Sequence, residues 1–154
     1  MTKERRSSHR GSVLVEFTIC APLLITIFLG AWHFGYAFWQ YNALEQAVRA
    51  GGRFASVAKY KSPEGVPPDT AFLTGVRNVV VYGKPNPADV DKPIVAGLTP
   101  ENVFAEVTFS KNHPRFVRIW VNGFTIPGLF STITMQGKPS VKFPFVGAYQ
   151  PPVS

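Results

Sequence analysis

Residues 10–17 read Arg10-Gly11-Ser12-Val13-Leu14-Val15-Glu16-Phe17, and after Glu16 the chain carries no further acidic or basic charge until Glu45. Behind this stretch stands a basic leader with Lys3, Arg5, Arg6, His9 and Arg10. Ahead of it, from Phe17 to Trp39, the polar side chains are Thr18, Thr26, His33 and the aromatic tips; the rest are apolar or small. Those residues span about 35 Å as a helix, enough to cross a hydrocarbon core of about 30 Å. The run is also too long for the apolar region of a cleaved secretory signal, which covers about 7–15 residues. A membrane helix is the expectation. Basic residues on its amino-terminal side predict that end inside the cell and Trp39 onward outside. Glu16 then sits at the threshold of the span, where a carboxylate costs less than the roughly 2.5–3.5 kcal/mol of a bilayer centre but is still costly.

Several residues qualify this helix. Trp32, Tyr36, Trp39 and Tyr41 gather at the distal end, as rings do at a membrane interface. Pro22 removes a backbone donor from the helix interior. Ala31 and Gly35 make a small-x-x-x-small pair beside Gly30, a spacing that permits close helix approach; glycine is also simply common in membrane helices. His33 reads either as a hydrogen-bonding group across an assembly interface or as a partly wet structural histidine. Beyond the span, Leu44, Val48, Gly51, Ala55 and Ala58 recur at spacings of four and three, an apolar stripe for the chain's own soluble part or for neighbouring subunits. Glu45 and Arg49 stand at i, i+4 in the favourable order, with Arg53 extending the polar face. Gly51-Gly52 weakens the helix without ending it.

The composition changes after Lys61, where 13 of the 14 prolines lie. Residues 62–69 make a linker or turn. Ala71–Asn78 suits a short helix capped by Asp69 or Thr70, Val79–Tyr82 a short strand, and Gly83–Gly97 a loop. Val103, Ala105, Val107 and Phe109 alternate with more polar neighbours, and Val117, Ile119 and Val121 do the same within Phe116–Asn122. With Lys111–Arg115 as the turn, the two form a hairpin. Ile126-Pro127-Gly128 is a further turn. Ser131–Gln136 and Val141–Phe145 are weaker strands, the last pushed towards an edge by Pro144. The tail from Tyr149 to Ser154 is expected to fray.

Catalytic chemistry finds little support. Cys20 is the single cysteine and lies in the apolar run, so neither an intrachain disulfide nor a cysteine-rich zinc site can form. His9, His33 and His113 lack ligand spacing. Asp89 and Asp91 lie two apart in a proline-rich loop, short of the six or more oxygens that calcium requires. Phosphate loops, nucleophile elbows and His-Glu-x-x-His are absent. The formal net charge of +7 falls to +4 without the leader, and no Lys/Arg cluster after Arg10 resembles a nucleic-acid footprint. Phe104, Phe116 and Trp120 belong to an exposed sheet face, more in keeping with core or subunit contacts than with a ligand platform. No catalytic residue, metal or cofactor is expected.

The basic leader, Gly11, four mostly apolar residues, Glu16-Phe17 and the apolar helix resemble the class III signal of type IV pilins. Arg-Gly-Ser-Val-Leu-Val-Glu-Phe, the later Ala-Pro-Leu-Leu and Tyr-Asn-Ala-Leu-Glu-Gln-Ala-Val-Arg-Ala-Gly resemble TadE-like pseudopilins of tight-adherence (Flp-type) pili. The likeness covers Arg10 to Ala55. It implies cleavage by a prepilin peptidase between Gly11 and Ser12, and a register role for Glu16 and Phe17. It also implies partners among other pilins and pseudopilins and the inner-membrane assembly platform. Glycine suits such a cut because it brings no side chain into a protease cleft. The expected chain is α+β: leader 1–11, transmembrane and amphipathic helix 12–61, and a small antiparallel β-rich periplasmic domain 62–154. The expected role is a non-enzymatic minor pseudopilin that primes, caps or modulates filament assembly. The rival is an uncleaved single-span protein whose external domain scaffolds or binds an envelope partner.

Overall fold

A computed structural model of the chain describes residues 9–127 and 132–151. Its first element, α1, is a 49-residue helix, His9–Val57. Two compact units divide within it, one ending at Tyr36 and one running Ala37–Ser154.

In the first unit the helix is apolar all round. Its window of highest mean hydropathy reaches 2.2 and none of that window is buried. A helix with apolar side chains on every face needs an apolar surround. It is the one helix among the described residues that is long and apolar enough to cross a membrane. Its hydroxyls are satisfied internally, Thr18 Oγ1 donating to the Leu14 carbonyl at 2.7 Å and Thr26 Oγ1 to that of Pro22 at 2.8 Å. Such bonding to the preceding turn removes the cost of a bare hydroxyl in hydrocarbon.

In the second unit the distal part of α1 is a core element. Leu44, Val48, Gly51 and Ala55 are buried, the stripe facing the chain's own folded unit. Glu45 and Arg49 pair across one turn on the exposed side. The helix ends at Val57, four residues before the expected limit. The reason lies in the tail: Val146 N–H donates to Ser56 O (2.8 Å), Tyr60 N–H to Ala148 O (2.9 Å) and Gln150 N–H to Tyr60 O (2.9 Å). Gly147 packs so close to the Ala58 carbonyl that a Cβ there would overlap it. Tyr149 and Gln150 are therefore tied down, contrary to the expected fraying, while 152–154 lie outside the described residues.

The second helix, α2, runs Thr70–Tyr82. Asp69 caps it, Oδ1 accepting from Phe72 N–H at 2.7 Å. Gly83 ends it in the left-handed region (φ 78°), its N–H reaching Val79 O. The strand expected over Val79–Tyr82 is thus the last turn of this helix. Phe72, Val76, Val79 and Val80 share one buried face. Burying a valine yields about 1.5–3 kcal/mol, against a few tenths lost to its low helix propensity. Removing the cap by Asp69→Ala should cost about 0.5–2 kcal/mol, read as a lower thermal midpoint of the full-length protein in detergent.

Five strands follow: β1 Val103–Ser110, β2 His113–Val121, β3 Phe124–Ile126, β4 Ile133–Met135 and β5 Ser140–Pro144. They form an antiparallel sheet in the order β1-β2-β5 and a separate β3-β4 pair. The hairpin turn is two residues, Lys111 and Asn112, both at positive φ (53° and 61°), shorter than the expected five-residue turn. That conformation matches the strand twist but usually advertises itself as Asn-Gly, so a lysine hides it. β4 is shorter than expected, and both Ser131 and Gly128 of the expected Ile126–Gly128 turn lie outside the described residues. Pro144 does lie on an edge strand.

The sheet's inner face presents Val103, Ala105 and Val107 opposite Val121, Ile119 and Val117, with Val141 and Phe143 continuing the rows. Leu44 and Val48 of α1, Val76 and Val80 of α2, and Val103, Val117, Ile119 and Val121 of the sheet form one core, with Ala105, Val107 and Val141 packed against it. Arg77 Nε fastens α2 to the start of β1 through Val103 O at 3.1 Å.

Candidate functional site along the first helix

Gly11, Ser12, Glu16 and Phe17 lie in the first turns of α1. Ser12 and Glu16 are four residues apart, about one helical turn. Gly11 is exposed, and a Cβ added there would meet nothing within 4 Å. Its lack of a side chain therefore serves no packing among the described residues. Glu16 and Phe17 are exposed as well. Among the described residues the ion pairs are Arg49–Glu45 and Lys84–Asp91, so Glu16 has no ionic partner there. Glu16 lies beyond the first turn of α1, where the favourable effect of the helix dipole on a carboxylate has fallen off, so the dipole does not offset the cost of burying it in lipid.

Gly30, Ala31 and Gly35 are exposed too, and neither glycine has an atom within 4 Å of its added Cβ. They stand apart from Leu44, Val48, Gly51 and Ala55, which the folded unit has already buried. The packing residues thus fall into two sets: an open set before Tyr36 and an occupied set after it. Hydropathy alone could not separate them, because both sets are apolar or small.

Gly51 and Gly52, by contrast, have close environments. A Cβ on Gly51 would overlap the Val80 side chain of α2, and one on Gly52 would lie 2.5 Å from Cδ2 of Phe143 on β5. The pair lets α1 approach both the second helix and the sheet. For Gly52 the sequence signalled only helix weakening, whereas Gly51 already belonged to the expected apolar stripe.

No group of three or more His, Cys, Asp or Glu side chains converges among the described residues. An open groove of about 510 Å³ is lined by Phe54, Thr70, Ala71, Thr74, Gly75, Pro85 and Asn86, none of them titratable. His113 is exposed at the start of β2, its ring 6.2 Å from that of Tyr149. Asp91 is engaged by Lys84 Nζ and by the Ala88 N–H, which hold its carboxyl below the usual range. The larger unanticipated feature is the sheet's outer face, where Arg118 lies over Trp120 and Lys142 over Phe116. Strand alternation places the aromatics and Arg118 on this face; Lys142 over Phe116 depends on register with β5.

No curated protein and no solved structure matches the chain. Residues 11–53, from the glycine before the apolar run to the helix inside the folded unit, match the family model described as TadE-like protein, and that stretch is what the chain shares with it.

Proposed function

We propose that the protein is a minor pseudopilin of a tight-adherence (Flp-type) pilus or related secretion filament, cut after Gly11 by a prepilin peptidase. One observation carries this reading. An exposed glycine and an exposed carboxylate stand five residues apart at the start of an unburied apolar helix, inside the TadE-like stretch. Cleavage would free an α-amino group at Ser12 with a pKa of about 7.7–8.0, largely cationic at neutral pH. Glu16 then has a partner in that amine or in a neighbouring subunit's, which offsets its desolvation and sets axial register. The open residues Gly30, Ala31 and Gly35 serve contacts with other pilin helices. The protein sits as a single span in a bacterial inner membrane, with its amino terminus cytoplasmic and its folded unit periplasmic. The assembly platform receives it there, and the subunit primes, caps or modulates the filament.

Sequencing the amino terminus of membrane-extracted protein tests the processing step. The mature chain should begin at Ser12, and Gly11→Val should accumulate the uncut form. Glu16→Ala should still be cut but should lower piliation at least tenfold. An amino terminus upstream of Gly11 in cells whose fibres are normal would leave the uncleaved single-span scaffold as the better reading.

A further inference from the structure

The geometry points to a binding surface on the folded unit: the outer face of the β1-β2-β5 sheet receives the Asp89–Val90 turn of a second copy of this chain. Folded units would then join head to tail. This goes beyond the proposed role, which concerns α1, and it does not require processing at Gly11.

The receiving face is organised around rings and cations. Phe104 and Trp120 are cross-strand partners, stacked with centroids 5.8 Å apart and planes 15° from parallel. The Arg118 guanidinium lies 5.2 Å from the Trp120 ring centre, and the Lys142 ammonium lies 4.3 Å from that of Phe116. Arg118 has Glu106 directly opposite in register, yet the two form no ion pair; the guanidinium lies over the indole instead. Neither cation is in an ion pair among the described residues. Planar apolar surface flanked by Arg is the composition of an interface centre.

The loop after α2 presents the complement. Asp91 N–H donates to Ala88 O at 2.9 Å, and Ala88 N–H donates back to Asp91 Oδ2 at 2.6 Å. Lys84 Nζ holds the same carboxylate at 2.8 Å. The turn is braced from both sides and Asp91's charge is matched. Asp89 and Val90 remain at its two corners, with Val90 85 % exposed, the most of any large apolar side chain in the described chain. Asp89 is exposed and has no ion pair among the described residues. An apolar side chain beside a carboxylate, on a turn already held in shape, suits stacked rings beside a guanidinium. Such preorganisation lowers the entropy lost on docking. Donor tip and receiving face are different surfaces of one chain, so the contact is heterologous and repeats.

Disulfide trapping in membranes tests it, with Cys20→Ser as the background. One chain carries Val90→Cys and a co-expressed chain carries Ser140→Cys, the exposed neighbour of Trp120 in register. An added oxidant should yield the mixed dimer at least tenfold above a control pairing Val90→Cys with Lys59→Cys. Arg118→Glu in the receiving chain should reduce the product at least tenfold, and Asp89→Arg in the donating chain should restore it. That rescue also shows that the reversed face folds. A yield no higher than the control overturns the proposal, as does failure of the charge swap, or trapping of a different polypeptide alone. Amino-terminal sequencing of the same material reads processing separately, so a failure at Gly11 is distinguishable from a failure of this contact.

Discussion

Tyr60→Ala should destabilise the folded unit by about 3–5 kcal/mol, the range for removing a large buried ring. Tyr60 is 1 % exposed, just beyond the end of α1, and its ring meets those of Phe72 (5.1 Å), Phe109 (5.9 Å), Phe145 (6.2 Å) and Tyr149 (6.3 Å). The ring joins α2, β1 and the carboxy-terminal tail. Aromatic pairs of this kind contribute about 0.5–1.5 kcal/mol each beyond their buried area, so truncation loses several at once. A domain's whole stability is about 5–15 kcal/mol, which makes this loss decisive. Denaturant unfolding of the full chain in detergent, followed by protease sensitivity after Val57, measures it. Tyr60→Phe keeps the rings in contact and should cost less than about 1.5 kcal/mol. Burial raises the phenol's pKa above 10.0, with the Ser62 side chain opposing. The phenol of the unfolded chain therefore ionises first, and the wild type should lose stability as pH climbs above about 10. Tyr60→Phe should lack that contribution. Equal sensitivity in Tyr60→Ala and Tyr60→Phe would show that the hydroxyl, not the ring, holds this junction.

Gly51→Ala and Gly52→Ala should each destabilise the folded unit, although alanine favours a helix over glycine by about 1 kcal/mol. Sterics decide the sign. A Cβ at position 52 would stand 2.5 Å and 2.7 Å from Cδ2 and Cε2 of Phe143 and 3.0 Å from Cγ2 of Val141. At position 51 it would overlap Val80, a side chain stiff at χ1. Overpacking of this kind costs about 1–3 kcal/mol, and larger side chains at either site exceed that range. Net of the helix gain, the loss should reach up to about 2 kcal/mol for alanine, and Gly52→Leu should prevent stable folding. Val80→Ala opens a space at Gly51, so Gly51→Ala with Val80→Ala should be less destabilised than the two single losses predict. A double-mutant cycle on unfolding free energies measures that coupling. Simple additivity would refute the contact.

The helix, its apolar run and the hairpin were legible because each rests on a periodicity that residues express locally. α2 was half legible. Asp69 announced its start, but Val79-Val80-Val81 carries strand propensity, and only burial beneath α1 and beside the sheet keeps those valines helical. The tail misled for the opposite reason: nothing in its own residues marks order, whereas Gln150 N–H donates to the Tyr60 carbonyl and the Tyr149 ring meets that of Tyr60. Lys111-Asn112 concealed a two-residue turn because its positive φ angles have no Gly to mark them.

The candidate site divides along the same line. Gly11, Glu16, Phe17 and the small residues Gly30, Ala31 and Gly35 could be named from spacing and hydropathy. Leu44, Val48, Gly51 and Ala55 could be named as a packing stripe, but not by what they pack against. Arg118 over Trp120 was beyond reach, since Glu106 stands opposite and a salt bridge would have been the natural reading.

By itself, then, the order of residues determined that a membrane-length apolar run exists and which charge stands at its threshold, because these follow from side-chain chemistry along one continuous segment. Tertiary structure alone decided which part of the helix is covered and which stays open, where the helix stops, and which strand brings Lys142 over Phe116. Those outcomes turn on surfaces from distant segments competing for the same space. No local pattern records that competition.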